Sequence, residues 1–177
     1  MGAPPSSGIG STRAVLVAGA ARAFAQQGVR PCTMQAVAAA AGVSKATLYN
    51  YFRTKDELAR ALLAAELARL TSLAAALPPE QALAALADEL GEHPVLRRLA
   101  DVEPETLTAL VDVDPEVFTE LTARLAVALG ADEDGAGIAV RWLVGMVLQP
   151  ARSSARHRAA ARLATAVLVA QRPKEEP

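Results

Sequence analysis

Between residues 33 and 55 the chain gathers side chains suited to gripping a polyanion: Thr33, Ser44, Lys45, Thr47, Tyr49, Asn50, Tyr51 and Lys55. All of them donate hydrogen bonds, and two are cations. Hydroxyls, phenols and ammonium groups match phosphate oxygens, whereas lysine and asparagine can also reach base edges. On that basis Thr33, Tyr49, Tyr51 and Lys55 are assigned to phosphates, and Lys45, Ala46 and Asn50 to bases. The chain holds six aromatic residues, Phe24, Tyr49, Tyr51, Phe52, Phe118 and Trp142, and three of them fall between positions 49 and 52. No competing chemistry is legible. No nucleophile with a base, and no paired carboxylates, can be assembled from the sequence. His93 and His157 lack a second ligand at metal-binding spacing. Asp132-Glu133-Asp134-Gly135 lacks the spaced ligands of a calcium loop, and Gly135-Ala136-Gly137 does not continue into a phosphate-cradling motif. The reading is therefore a binding protein without metal, cofactor or enzymatic activity.

Two short helices joined by a tight turn must position those donors. Thr33 is a good N-cap for a helix over Met34 to Ala41, whose Met34, Val37, Ala38 and Ala41 recur at helical spacing. Gly42 stops it, because glycine takes the left-handed conformation at no steric cost, and Val43 pegs the corner. Ser44 caps the second helix, with Leu48 and Phe52 pointing inward and Lys45, Thr47, Tyr49 and Asn50 on other faces. Thr54 caps a third helix whose first turn carries Lys55, Asp56 and Glu57. The acids suit the helix dipole and the lysine does not, which suggests an external anion for Lys55.

These residues resemble the signature of the tetracycline-repressor-like (TetR) family of bacterial transcriptional regulators. The match is carried by Thr33, Ala41-Gly42-Val43-Ser44, Thr47-Leu48-Tyr49, Tyr51-Phe52 and Lys55-Asp56-Glu57-Leu58. Arg13, Leu16, Ala20, Phe24 and Gly28 resemble that family's first helix, and together the likeness covers about the first third of the chain. Ala46 departs from the glycine usual there, a change that favours helix and brings a methyl group toward DNA. The resemblance implies an all-α protein with a three-helix, helix-turn-helix DNA-binding head and a helical body for effector binding and dimerisation. It also implies a homodimer on a pseudo-palindromic double-stranded operator.

Charge supports the division. Residues 1–60 carry 7 basic and 2 acidic side chains, net +5; of the chain's 18 and 19, 11 and 17 remain for the rest, net −6. A basic head on an acidic body fits one nucleic-acid-facing domain and one that faces away. With 177 residues, 41 of them alanine, the chain can bury a sizeable helical core. A single cysteine, no membrane-spanning apolar run and no export signal lead to an expected cytoplasmic location. The expected boundaries are a loose N-terminus at 1–11, the DNA-binding head at 12–57, the body at 58–171 and a loose tail at 172–177.

After Lys55 the chain reads as helices punctuated by proline. A long helix from Lys55 to about Leu77 would run from head into body as a lever. Pro79, Pro94, Pro104 and Pro115 each suit a first helical turn, giving helices over 79–91, 94–101, 104–111 and 115–129. Two more follow, over 132–149 and 153–171. In the last, Ala155, Ala159, Leu163, Ala166, Val167 and Ala170 form a small-residue stripe read as the dimer interface, with Ile138, Trp142, Val144 and Met146 as bulkier partners; the alternative is that the stripe completes the monomer's own core. Arg152, Arg156, Arg158 and Arg162 read as a solvated face, with Asp132, Glu133 and Asp134 as possible partners, rather than as a second nucleic-acid site. By analogy with the family, the body should hold a pocket for a small apolar effector. Leu110, Phe118, Leu121, Trp142 and Met146 are the expected walls, with His93, Arg97 and Arg141 as polar handles. The resulting function is a sequence-specific regulator, a repressor released by a small molecule. The alternatives are a regulator without an effector, or a small helical enzyme that merely carries a helical corner.

Overall fold

The computed structural model describes residues 7–112 and 114–169, and among these it contains ten α-helices and no strand. They are α1 (Ser7–Gln27), α2 (Met34–Ala41), α3 (Lys45–Tyr51), α4 (Lys55–Ala75), α5 (Pro79–Glu92), α6 (Pro94–Val102), α7 (Pro104–Val111), α8 (Pro115–Leu129), α9 (Glu133–Leu148) and α10 (Ser153–Val169). Cap chemistry explains most of the boundaries. The hydroxyls of Thr33, Ser44 and Thr54 and the carboxylates of Asp114 and Asp132 each accept a backbone N–H in the first turn they open. Pro79, Pro94, Pro104 and Pro115 stand where a helix has no use for an N–H. Helix α1 starts at Ser7, inside the segment expected to be loose, because extending a helix whose Leu16, Ala20 and Phe24 are already buried costs little per residue. Residues 1–6 and the tail expected at 172–177 lie outside the described residues.

Two apolar cores organise the chain. The first joins Leu16, Ala20 and Phe24 of α1, Val37 of α2, Leu48 of α3 and Phe52 to Leu58 and Leu62 of α4. It also takes in Val95 and Leu99 of α6 and Leu107 of α7. The head is thus seated on the body through α6 and α7 as well as through α4. The second core holds the end of α4 and α5, α8, α9 and α10 together, largely through alanines: Ala74, Ala82, Ala87, Ala139, Ala160 and Ala164.

The face of α10 that packs on α5 carries Arg156, Ala160 and Ala164. It is offset by one residue from the expected dimer stripe. Ala155, Ala159 and Leu163 are left half-buried and Ala166 exposed; the Val167 side chain and Ala170 lie outside the described residues. Arg156 does not turn to the acids at the start of α9. Its guanidinium is buried between Asp88 and Glu92 of α5, donating to Asp88 Oδ1 at 2.8 Å, Glu92 Oε1 at 2.7 Å and the Ala151 carbonyl at 2.6 Å. His157 Nε2 joins Asp88 Oδ2. Burial pushes the Asp88 carboxyl up, but hydrogen bonds from His157 and Arg156 outweigh it and hold the group below its ordinary value.

Candidate nucleic-acid interface and body cavity

Helix α3 is anchored by two fully buried side chains, Leu48 within it and Phe52 at its end. With those pointing in, periodicity leaves Lys45, Ala46, Tyr49 and Asn50 exposed, and Thr47 and Tyr51 half-buried. At its start, Ser44 Oγ accepts the Thr47 N–H at 3.0 Å and pairs with the Thr47 hydroxyl at 2.8 Å, so both hydroxyls are tied into the cap. The Lys45 ammonium stands 5.7 Å from the centroid of the Tyr49 ring, a cation over a π face. The turn before α3 depends on Gly42, whose φ of 70° lies in the left-handed region. Thr33 is exposed, its oxygen accepting the Ala36 N–H at 3.1 Å.

Lys55 departs from expectation. Its ammonium donates to the carbonyls of Arg30 at 2.5 Å and Cys32 at 3.1 Å. The cation misplaced in its own helix dipole is therefore held by the chain itself, at the peptide groups leading into α2. Only the remaining N–H of the three is left to face outward. Arg53, exposed in the turn between α3 and α4, is a cation that the sequence reading did not count toward this surface. Its sign and its place beside Tyr51 were the available signals.

The body holds a partly open cavity of about 490 Å³. Its walls are aliphatic: Leu62, Leu67 and Leu70 of α4, Leu96 and Leu99 of α6, Leu110 of α7, Leu121 and Leu125 of α8, and Leu143, Val144 and Val147 of α9, with Phe24 and Val29 at the head end. Of the expected lining, Leu110, Leu121 and His93 are present. Phe118, Trp142, Met146, Arg97 and Arg141 are not. The reason is helix rotation: α9 turns Val140, Leu143, Val144 and Val147 to the void, so Trp142 and Met146 fall off that face. Arg141 instead lies over the Phe118 ring at 4.5 Å, away from the lining.

The polar members of the wall are Thr71, Thr106, Arg124 and the pair Glu66 and His93, whose Nε2 lies 3.8 Å from Glu66 Oε2. His93 Nδ1 accepts the Leu96 N–H at 3.5 Å, capping α6, which leaves Nε2 as the protonated nitrogen of the neutral ring. Burial lowers the His93 pKa, and nearby Glu66 only partly offsets it. Both residues also line a polar groove between α1, α4, α5 and α6 that includes Arg22, Arg69, Asp88, Glu89 and Glu92.

Sequence reading missed Glu103, a buried carboxylate where α6 meets α7. Both of its oxygens accept the Arg30 N–H, at 3.0 and 3.1 Å, and Oε2 also accepts the Thr106 hydroxyl at 3.0 Å. Gly28 makes room for it: a Cβ there would lie 2.2 Å from Oε1. No helix of the described residues is long and apolar enough to cross a membrane, and no cluster of metal-ligating side chains occurs among them.

Comparison with known proteins agrees with this geometry. Residues 16–62 match the family of bacterial regulatory proteins described as tetR family. No curated protein matches the chain. Among solved structures, one from work on the control of antibiotic production by bacterial hormones superposes with a TM-score of 0.64 at 24% identity, covering 87% of this chain and 95% of that one. The TetR family repressor AlkX from Dietzia sp. strain DQ12-45-1b, implicated in biodegradation of n-alkanes, gives 0.63 at 18% identity, covering 88% and 96%. A TetR-like transcriptional regulator from Rhodococcus sp. RHA1 gives 0.53 at 22%, covering 97% and 100%. Regulators of this family bind DNA and act as dimers. Over its helix-turn-helix, residues 16–62, the chain thus matches the tetR family of bacterial regulatory proteins, and as a whole it shares the all-helical fold of these solved regulators.

Proposed function

We propose that the protein is a homodimeric repressor that reads a pseudo-palindromic operator and is released by a small, uncharged aliphatic effector bound in the body. The observation that carries this reading is the pairing of a filled head with an aliphatic cavity that reaches from the body to Phe24 and Val29 of that head. Helix α3 enters the major groove with Lys45, Ala46 and Asn50 toward base edges. Thr33, Tyr49, Tyr51, Arg53 and the outward N–H of Lys55 meet phosphates, and Ser44 and Thr47 act by fixing the helix start. The half-buried Ala155, Ala159 and Leu163 and exposed Ala166 of α10, with exposed Ile138 of α9, supply the apolar surface for a second copy. The effector is an alkyl chain with one hydrogen-bonding end: leucines and valines take the chain, and the Glu66–His93 pair takes the end group.

The test selects duplexes from a random-sequence library with the full chain. Their affinity is then measured against salt and against straight-chain primary alcohols from hexanol to tetradecanol. Half-sites should recur about 34 to 36 Å apart or at a multiple of that. Affinity should fall steeply with salt, and a fitting alcohol should weaken binding roughly 5- to 150-fold. Recovery of single, non-repeated sites would overturn the dimeric reading, and binding indifferent to every alcohol would favour an ungated regulator.

A further inference from the structure

We propose that Glu103 is the joint through which the body cavity addresses the reading head, an inference that rests on the effector reading above. Glu103 belongs to the body by chain position, between α6 and α7, yet its carboxylate closes on the backbone of residue 30 in the head. On the cavity side, Thr106 is a wall residue and donates its hydroxyl to the same carboxylate. On the head side, the backbone of Arg30 carries the connection onward through the two peptide groups that flank its Cα. Its N–H is held by Glu103, and its C=O is held by the Lys55 ammonium at the start of α4, directly after the reading helix. Lys55 also holds the Cys32 carbonyl, one residue before the cap of α2.

One unbroken set of hydrogen bonds therefore runs from the cavity wall to both flanks of the helix-turn-helix. The central carboxylate is buried, so its own contacts are little diluted by water, while the link from Lys55 to the Arg30 carbonyl is exposed. The site is also built for this carboxylate: at Gly28 φ is +90°, and any side chain would collide with Glu103. The ion pair of Arg30 with Glu105, at 3.2 Å, is exposed and adds little. An occupant that pushes α7 outward withdraws the Thr106 hydroxyl and loosens Glu103, and the segment bearing Arg30 and Cys32 shifts with Lys55. Ligand and DNA then oppose each other by linkage, with Glu103 as the positioning residue that sets the coupling.

The test compares full-length wild type with Glu103→Gln and Thr106→Val, and with Leu129→Ala, a buried body residue away from the joint, as a control for lost stability. Without ligand, Glu103→Gln should weaken binding to the selected duplex about tenfold and speed exchange of the Arg30 amide by a similar factor, because charge-assisted hydrogen bonds are the strong ones. Leu129→Ala should leave both at wild-type values. With saturating 1-decanol, Glu103→Gln, which leaves the cavity wall intact, should bind the alcohol as wild type does, seen by thermal shift, and in both joint variants relief of DNA binding should shrink to less than about a third of the wild-type factor. Wild-type relief in Glu103→Gln together with an unchanged Arg30 amide would overturn the proposal. If 1-decanol fails to relieve wild type, the effector reading fails for that class. The joint then stands if Glu103→Gln alone shifts ligand-free affinity, and falls if Leu129→Ala shifts it equally.

Discussion

The two cores of this protein are filled in opposite ways. Phe24, Phe52, Leu16, Leu48, Leu58 and Val37 are among the largest fully buried side chains, and all belong to the head core; of the same group only Leu83 belongs to the body core. The body packs alanine against alanine and leaves about 490 Å³ open among its leucines. Dense packing resists deformation, whereas helices joined by small side chains around a void can shift at low cost. The contrast teaches a division of labour: the part that must match a fixed duplex is rigid, and the part that must respond is hollow.

The comparison breaks most sharply under truncation. Phe52→Ala should cost about 3 to 5 kcal/mol in urea unfolding and abolish DNA binding, because the cavity it opens cannot collapse. Leu121→Ala, on the wall of an existing void, should cost less than about 2 kcal/mol. Equal costs would show that the body is as tightly packed as the head.

Added bulk sharpens the same point at smaller scale. Val37→Phe, at a fully buried head position, should lose about 1 to 3 kcal/mol from overpacking. Leu121→Phe should change stability by less than about 1 kcal/mol, since the ring can enter the void, and should weaken alcohol binding. Thermal unfolding of both variants, with alcohol titration of the second, distinguishes a hollow body from one that merely tolerates substitution.

The smallest expected effect is acid sensitivity confined to the body. Burial lowers the folded pKa of His93 below its ordinary value of 6.5, so the unfolded chain binds the proton more readily. Stability from this group should therefore fall as pH drops below about 6.5 and level off below the folded pKa. Denaturant midpoints for wild type and His93→Gln should differ in slope over that window. Identical slopes would mean that His93 is not neutral against the cavity.

Much of the fold is written locally, in residues that need no distant partner. Thr33, Ser44 and Thr54 cap, Gly42 and Gly130 end, and four prolines begin helices, which is why α2, α7 and α8 fall where sequence spacing puts them. The exposed face of α3 follows equally directly from Leu48 and Phe52. Features that depend on long-range placement were not readable. Glu103 meets Arg30 across 73 residues, and Arg156 meets Asp88 across 68, so neither pairing leaves a local pattern. The cavity lining failed for a related reason. Trp142 and Val144 both fit an apolar α9, and only the rotation of that helix decides which one faces the void.

Cys32 gives the head a clock of its own. It is the chain's only thiol and 2% exposed, and burial raises its pKa while Lys55 pulls it back only partly. In the closed head it is a poor nucleophile that reagents cannot reach. Its modification must therefore await an opening of the segment that Lys55 and Glu103 hold down, and with thiol reagent concentrated enough to outpace reclosing, the rate at which an unlabelled, unmutated protein consumes it counts those openings one by one.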